Sequence, residues 1–377
     1  MFNKDFDRKK FLEEVFAKSK RIVVKVGSAV VTKDDEGLNW EVLDQIAFEI
    51  SRLRQAGKQV LLISSGAIAC GRSKLKLFKK PLSLSEKQAL AACGQADLIH
   101  AYEEVFKKYQ TFVAQVLLTS QDLAERERYL NARNTLNTLL KWGVLPIINE
   151  NDTVATEEIR FSDNDFLSAL VAGTMQADLL IVLSDVSALF ERDPREDPTA
   201  KPIRYVEEIT KEVLAMAGSK PGRVGRGGMF SKLKAAQMVT SMGIPMVLLP
   251  GREKLILERF FAGEEVGTIF FPKERSLPLR KFWIKYILKP EGRITIDKGA
   301  ERAILFEGKS LLLPGLKEVD GEFKRGACLL VLNEERFPIG KGLSNFSSEE
   351  LGKFLHEKEK QDKELIHRDN FVPLDPT

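Results

Sequence analysis

The chain has 377 residues, 44% of them apolar and 30% charged, a composition typical of a folded protein long enough for two domains. Its 58 Lys and Arg against 54 Asp and Glu give a net charge of +4, which is too balanced to indicate a nucleic acid or a membrane surface as partner. Residues 1–16 are polar and charged, unlike a signal peptide, and no apolar run approaches the ~20 residues that cross a bilayer, so we expect a cytoplasmic protein.

Cysteine and histidine are scarce, with three residues of each in the whole chain. None of them has the spacing of a zinc-ligand set, such as two cysteines separated by two residues. The sequence therefore predicts no metal site, no disulfide framework and no Cys–His nucleophile. Any catalysis must use Lys, Asp, Asn, Ser and main-chain amides.

Taken in chain order, the elements begin with a short amphipathic helix predicted in "DRKKFLEEVF" (7–16) and packed on the first domain. From residue 21, apolar runs alternate with helical patterns. The apolar runs are 21–26, 59–64, 111–118, 144–149, 178–184 and 245–249. The helical patterns are 39–56, 84–109, 127–142, 163–176 and 228–243. Because the apolar runs are continuous, both faces should be covered, which predicts an α/β fold with a mostly parallel sheet sandwiched by helices.

The pattern changes at 272–281, where two prolines and mixed charge predict a linker. Beyond it lie short β-like runs with glycine turns, a charged helix near 347–365 and a last strand near "ELIHRDNFV" (364–372). The sequence therefore predicts a first domain over 18–271 and a small mixed-β domain over 282–372.

Small, polar and glycine residues gather where four predicted strands end. The segments are "KVGSAV" (25–30), "ISSGAIACG" (63–71), "INENDTVA" (148–155) and "LSDVSALFERDP" (183–194). Sheets of this class bind ligands at the carboxyl ends of their strands. A separate glycine-rich loop, "GRVGRGGMFSK" (222–232), precedes a helix whose free N–H groups suit phosphates. We expect these segments to form one pocket.

Several residues in these segments allow two interpretations. Lys25 lies inside an apolar run. It is therefore either a functional residue of a binding or catalytic site, or a residue of an edge strand whose ammonium group reaches water. The glycine-rich loop before Lys232 either binds phosphate or is an ordinary flexible loop. Of Asp163, Asn164 and Asp165, one can cap the following helix, and the other two are candidates for holding a ligand.

The combination of two lysines, a glycine-rich loop and an Asp/Asn cluster without a histidine base indicates phosphoryl transfer to an acceptor that needs no deprotonation. A carboxylate is such an acceptor, because it is already ionised at neutral pH. Catalysis then consists of positioning the reactants and neutralising charge on the transferred group.

Longer segments carry a resemblance to a family. They include "VVKVGSAVVT", "ISSGAIACGR", "ERERYLNARNTL", "LPIINENDTVAT", "SDNDFLSALVAG" and "GRGGMFSKLKAA". From about residue 20 to 371 the chain resembles the glutamate 5-kinases, amino-acid kinases in a two-domain form with a C-terminal PUA domain. The resemblance implies ATP-dependent phosphorylation of L-glutamate to L-glutamyl 5-phosphate, the first step of proline biosynthesis, with Mg²⁺ shielding the phosphates.

The resemblance also implies roles for single residues. The catalytic set comprises Lys25 and Lys232, which contact the ATP phosphates, and Asp165, which holds the two lysines. The glutamate site comprises Ser65, Asp152 and Asn164, supported by Asn149 and Asp163. The nucleotide site comprises, beside the two lysines, Ser184, Asp185, Arg226, Gly227, Gly228 and Met229.

The expected partners are L-glutamate, ATP, proline as feedback inhibitor, glutamyl-phosphate reductase in the pathway and further copies of the chain. Two alternatives stay open: a related kinase acting on another carboxylate or on UMP, and an RNA-binding protein acting through its PUA domain. Residues 276–377 contain 18 Lys and Arg and 17 Asp and Glu, a charge of +1, so we do not expect this domain to bind RNA.

Overall fold

The computed structural model describes residues 8–33, 37–77, 82–154, 164–217, 228–274, 276–357 and 362–374. The chain divides into two compact units, Met1–Ser276 and Leu277–Thr377. The predicted ends of the two domains and of the linker stay predictions. No helix among the described residues is long and apolar enough to cross a membrane.

The first unit is built on one large sheet. The strands of this unit, counted over the described residues, are β1 (Arg21–Val26), β2 (Thr32–Lys33), β3 (Gly37–Leu38), β4 (Gln59–Ser64), β5 (Val113–Leu118), β6 (Leu145–Glu150), β7 (Leu179–Ser184), β8 (Leu189–Phe190), β9 (Pro202–Ile203), β10 (Tyr205–Val206), β11 (Met246–Pro250) and β12 (Thr268–Phe270). Eight of these form the sheet in the order β10-β12-β11-β7-β1-β4-β6-β5. The six from β11 to β5 are parallel, and β12 runs antiparallel to β11. The predicted mostly parallel sheet is confirmed.

Helices flank this sheet. Within the described residues they are α1 (Arg8–Lys18), α2 (Ser28–Val31), α3 (Trp40–Gln55), α4 (Ala67–Leu75), α5 (Leu84–Lys107), α6 (Ser120–Ala124), α7 (Arg126–Lys141), α8 (Asn164–Thr174), α9 (Lys211–Ala215), α10 (Met229–Ser241) and α11 (Ile256–Phe261). The predicted helices match α3, α5, α7, α8 and α10 within a few residues. The sequence did not predict α4, because its small residues give no apolar stripe of helical period.

The alternation of side chains along β1 separates two environments. Ile22, Val24 and Val26 pack into a buried cluster with apolar residues of α3 and α5. Successive side chains of a strand point to opposite faces, so Lys25 faces the other side, where α8 packs against β1 and against α10. The central strand thus directs a charged side chain at these two helices.

The first helix packs on the same unit, as predicted. Leu12 of α1 is buried in the core cluster with residues of the sheet. The Phe11 ring lies 5.0 Å from that of Phe271, and the Phe16 ring lies 4.7 Å from that of Phe261. Aromatic pairs at these distances stabilise an interface beyond the area that they bury.

The second unit is small and of mixed β structure, as predicted. Its described strands are β13 (Gly292–Ile296), β14 (Leu311–Leu312), β15 (Leu316–Asp320), β16 (Cys328–Leu332), β17 (Pro338–Leu343), β18 (Glu364–Ile366) and β19 (Phe371–Pro373), with helices α12 (Leu279–Phe282), α13 (Lys298–Phe306) and α14 (Ser348–Glu357). Five strands form a sheet in the order β15-β13-β16-β17-β19, in which the β13–β16 pair is parallel and the others are antiparallel. This unit has its own buried apolar core.

Candidate functional site

The carboxyl ends of four neighbouring strands meet at one edge of the large sheet. β7, β1, β4 and β6 are adjacent and parallel, so their last residues lie side by side. Main-chain hydrogen bonds join the turns that follow: Gly27 N–H donates to Leu183 O at 3.0 Å, and Ser65 N–H donates to Val26 O at 3.2 Å. The structure therefore brings together the four predicted segments.

A cluster of Lys25, Asp165 and Lys232, here called the lysine–aspartate cluster, lies beneath this edge. Asp165 stands in the first turn of α8 and is fully buried; Lys25 is 2% exposed and Lys232 is 5% exposed. Lys25 Nζ donates to Asp165 Oδ1, and Lys232 Nζ donates to Asp165 Oδ2 at 3.2 Å. Lys25 lies on the central strand β1, so the alternative that its ammonium reaches water from an edge strand is wrong.

Burial by itself raises the pKa of the Asp165 carboxyl, but the ammonium groups of Lys25 and Lys232 outweigh it and hold that pKa well below its usual range. The carboxylate is therefore ionised at neutral pH. The cluster thus holds two ammonium groups in fixed positions, and cationic groups of this kind suit a phosphate group.

A network of amides lies beside the cluster. Asn164 Nδ2 donates to Ser64 O at 2.9 Å, to Ser65 Oγ at 2.7 Å and to Asn149 Oδ1 at 2.9 Å. Asn149 Nδ2 in turn donates to Gln95 Oε1 at 2.8 Å. Asn164 Oδ1 is buried and has no hydrogen-bond partner among the described residues. Because buried polar atoms are nearly always paired, this oxygen is a candidate acceptor for a ligand's donor.

Asp152 follows β6 by two residues. It is partly buried, and that burial raises the pKa of its carboxyl to about 6. A carboxylate kept in an environment that disfavours its charge is typical of a binding or catalytic site.

The remaining predicted residues lie at two other positions around the edge. Ser184, buried at the end of β7, donates from Oγ to Asp185 Oδ1 at 3.0 Å, and Asp185 is exposed. Gly228 is the N-cap of α10, and Met229 is its first residue. Asp163, Arg226 and Gly227 lie outside the described residues.

Comparisons with known proteins cover both units. The Amino acid kinase family matches residues 20–250, and the PUA domain family matches residues 292–366. Proteins named glutamate 5-kinase from Geobacter sulfurreducens and Pelobacter propionicus are 46% and 45% identical to this chain, over 96% of it and 99% of each relative. One from Meiothermus ruber is 48% identical over 94% of this chain and 95% of its own length. The chain belongs to the glutamate 5-kinases of the amino acid kinase family.

Membership of this family confirms the predicted resemblance, the fold and the class of enzyme, and it makes ATP the phosphoryl donor. The roles of single residues at the edge stay predictions.

Two side chains of the site were not predicted from the sequence. Ser231 Oγ donates to Asp165 Oδ2 at 2.8 Å, and its position directly before Lys232 was the signal that could have found it. Gln95 holds Asn149 from the middle of α5. No local pattern indicates its role, because the contact depends on how α5 packs beside β6.

Proposed function

We propose that the protein transfers the γ-phosphoryl group of ATP to the side-chain carboxylate of L-glutamate. A carboxylate oxygen attacks the γ-phosphorus in line while the bond to the bridging oxygen breaks, and the electron pair leaves with ADP. The product, L-glutamyl 5-phosphate, is the first intermediate of proline biosynthesis. The observation that supports this most is the buried lysine–aspartate cluster at the carboxyl edge of the sheet, in a chain of this family.

The cluster supplies what this transfer needs. Lys25 and Lys232 neutralise charge on the transferring group, and Asp165 keeps the two ammonium groups in place. Preorganised charges in a buried site act more strongly than charges in water. The acceptor is already ionised, so the reaction needs no histidine base, in agreement with the residues at the edge.

Mg²⁺ is expected to bind through the phosphate oxygens of ATP, since this ion is usually held by substrate phosphates, waters and one or two carboxylates. The described residues contain no group of three or more His, Cys, Asp or Glu that could hold a metal ion, and an ion bound through the nucleotide needs none. When bound, Mg²⁺ adds positive charge beside the transferring group.

The amide network accounts for recognition of an amino acid. Asn164 Oδ1 accepts from the α-ammonium group of glutamate, and the Asp152 carboxylate lies opposite its charge. L-proline carries a secondary ammonium group and a carboxylate, so it competes for the same residues as a feedback inhibitor. The acyl phosphate product is labile and passes to glutamyl-phosphate reductase. Formation of a homo-oligomer and a cytoplasmic location are part of this proposal.

The test is ATP turnover by the purified protein with L-glutamate, L-aspartate, N-acetyl-L-glutamate or UMP. ADP release is measured in every case, and hydroxylamine traps any acyl phosphate as a hydroxamate. Hydroxamate with L-glutamate alone is the expected result. ADP release that depends on UMP, or hydroxamate with another acid alone, would identify a related kinase instead, and no turnover with any acceptor would overturn the proposal.

A further inference from the structure

Gln95, in the middle of α5, contacts the amide network although it lies outside the strand-end segments. Its Oε1 accepts a hydrogen bond from Asn149 Nδ2 at 2.8 Å, across 54 positions of the chain. Asn149 is 3% exposed, whereas Gln95 is only partly buried. A buried amide N–H without an acceptor is unfavourable, so Gln95 stabilises Asn149 in its observed position.

Two main-chain groups fix the orientation of the two asparagine amides. Glu150 N–H donates to Asn149 Oδ1 at 2.9 Å. Asn164 Nδ2 donates to Ser64 O at 2.9 Å. A main-chain N–H can only donate and a main-chain carbonyl can only accept, so neither amide can exchange its oxygen and nitrogen without losing a partner. Asn149 Nδ2 therefore has to face Gln95.

Asn149 connects Gln95 to Asn164. Its Oδ1 accepts from Asn164 Nδ2 at 2.9 Å, and the same nitrogen donates to Ser65 Oγ at 2.7 Å. Because its nitrogen makes these hydrogen bonds, the Asn164 amide presents its Oδ1 in another direction. That oxygen is buried and has no partner among the residues that the structure describes. Its direction depends on where Asn149 lies, and Gln95 holds Asn149.

We infer that Gln95 is a positioning residue for substrate selectivity, which through Asn149 holds Asn164 Oδ1 ready for a donor on the acceptor substrate. The inference rests on the proposed function, in which that donor is the α-ammonium group of L-glutamate. Glutarate, an acid of the same length without the ammonium group, gives this buried oxygen no donor. A site built around such a hydrogen bond discriminates strongly against the analogue that lacks it.

The experiment measures hydroxamate formation from L-glutamate and from glutarate by wild type, Gln95→Met and Gln95→Glu. Methionine is of similar size and at most a weak acceptor, whereas a carboxylate keeps an oxygen for Asn149 Nδ2. Gln95→Met should raise KM for L-glutamate about tenfold and leave kcat and KM for ATP within about threefold, because the ammonium group is bound equally in the ground and transition states. Gln95→Glu should keep all three constants within about threefold of wild type.

The ratio of kcat/KM for L-glutamate to kcat/KM for glutarate separates this role from a merely structural one. Gln95→Met should lower the ratio about tenfold, because glutarate gains nothing from the oriented oxygen. A general loosening of the site would lower both values alike and leave the ratio unchanged. If glutarate is not phosphorylated, its inhibition constant against L-glutamate replaces its kcat/KM. Lys107→Met is the matched control, since it puts the same side chain at an exposed position of α5 and should leave the ratio unchanged.

A second pair of variants tests the contact without relying on the methionine variant to fold. In Asn149→Asp, Gln95 can turn its amide and donate from Nε2 to the new carboxylate oxygen. Adding Gln95→Glu to Asn149→Asp brings two carboxylates together, so KM for L-glutamate should rise at least about tenfold further. An equal effect of Gln95→Glu with Asn149 and with Asn149→Asp would show that the two side chains act independently, which would overturn the inference.

Failure of this inference can be told apart from failure of the proposed function. If wild type forms hydroxamate from L-glutamate and Gln95→Met leaves the ratio unchanged, the role of Gln95 alone is wrong. An equal rise of KM for L-glutamate in Gln95→Glu and Gln95→Met would contradict it too, because the acceptor oxygen would then not matter. No hydroxamate from wild type would overturn the proposed function and this inference together.

Discussion

At the scale of single residues, the structure joins two lysines from distant parts of the chain to one carboxylate. Lys25 lies on β1 and Lys232 on α10, and Asp165 lies between them on α8. A buried ion pair of this kind is weak evidence for stability, because the cost of removing the charges from water offsets their attraction. Catalysis is therefore the better explanation of why these residues are charged.

Replacement of either lysine by methionine keeps much of the side-chain volume and removes the charge. We expect Lys25→Met and Lys232→Met each to lower kcat by roughly 10²–10³-fold, the loss seen when an electrostatic stabiliser is removed. Hydroxamate formation measures it. Lys108→Met is the control, because Lys108 is exposed and pairs with Asp44 at 2.8 Å. A kcat within a few-fold of wild type for either variant would contradict its assigned role.

Asp152 should make glutamate binding depend on pH in the acidic range. Burial raises the pKa of its carboxyl to about 6, so the carboxylate is lost as the pH falls through that value. The loss of this carboxylate removes the charge that we propose for binding the α-ammonium group, so kcat/KM for L-glutamate should fall about tenfold per unit below pH 6. Asp152→Asn should give a lower value at pH 7 and a flat profile. A wild-type profile that is flat between pH 5 and 7 would exclude this role.

At the scale of elements, α4 and α5 cross with their backbones almost in contact. A Cβ added at Gly94 would lie 2.0 Å from Ala67 O and 2.3 Å from Gly71 N, and one added at Gly71 would lie 2.0 Å from Leu90 O. The crossing therefore requires glycine at both positions. It also fixes Gln95, the residue after Gly94, beside Asn149.

We expect Gly94→Ala to destabilise the protein by about 1–3 kcal/mol or more, because the added methyl group forces the two helices apart. Urea unfolding measures the change. Gly352→Ala is the matched control: Gly352 lies in α14 with no atom near an added Cβ, and alanine there should stabilise by about 0.5–1 kcal/mol. Equal stability of the Gly94 variant and wild type would exclude this account of the crossing.

Arg252, in the loop after β11, supports the single turn of α2. Its Nε donates to Ala29 O at 3.1 Å and its Nη2 donates to Thr32 O at 3.2 Å. These carbonyls stand at the end of the turn, where the helix itself offers no donor. α2 begins two residues after β1, the strand that carries Lys25, so the arginine helps to fix the chain next to the cluster.

Arg252→Ala should raise KM for ATP about three- to tenfold, equivalent to ~1 kcal/mol for the lost hydrogen bonds. Arg252→Lys should recover part of the loss, since lysine can reach one carbonyl at a time. Arg52→Ala, which breaks an exposed ion pair with Glu258, is the control. Steady-state kinetics at varied ATP concentrations measure this KM. An unchanged KM for ATP in Arg252→Ala would show that α2 does not need the hydrogen bonds from Arg252.

The sheet could be predicted from the sequence because its strands are continuous apolar runs. Sheets of this class bind ligands at the carboxyl ends of their strands, so the sequence also predicted which edge of the sheet carries the candidate site. Asp165 and Asn164 could be assigned only through the resemblance, since capping explained such residues equally well. Arg252 and Gln95 could not be found, because their partners are distant: Arg252 and Ala29 are 223 positions apart. Contacts of that kind depend on the packing of elements and leave no local pattern.

At the scale of the whole molecule, each unit has a separate buried core. The first core includes residues of β1, α3, α5 and α11, and the second includes residues of β13, β16 and β18. The described lysine–aspartate cluster and amide network lie entirely in the first unit. The chemistry should therefore be carried by residues 1–276.

A chain ending at Ser276 should fold and keep kcat for L-glutamate within about threefold of the full chain, because a compact unit with its own core can fold alone. Calorimetric melting and hydroxamate formation test both parts. Loss of cooperative melting, or a more than tenfold fall in kcat, would mean that the first unit needs the second unit in order to fold or to catalyse the reaction.

The packing of α1 has a consequence for synthesis on the ribosome. The rings that cover Phe11 and Phe16 belong to Phe271 and Phe261, about 250 residues later in the chain. At 5–20 residues per second, these partners emerge roughly 12–50 s after α1 does. During that interval Phe11 and Phe16 are apolar groups on a nascent chain without these aromatic partners, the kind of segment that chaperones bind.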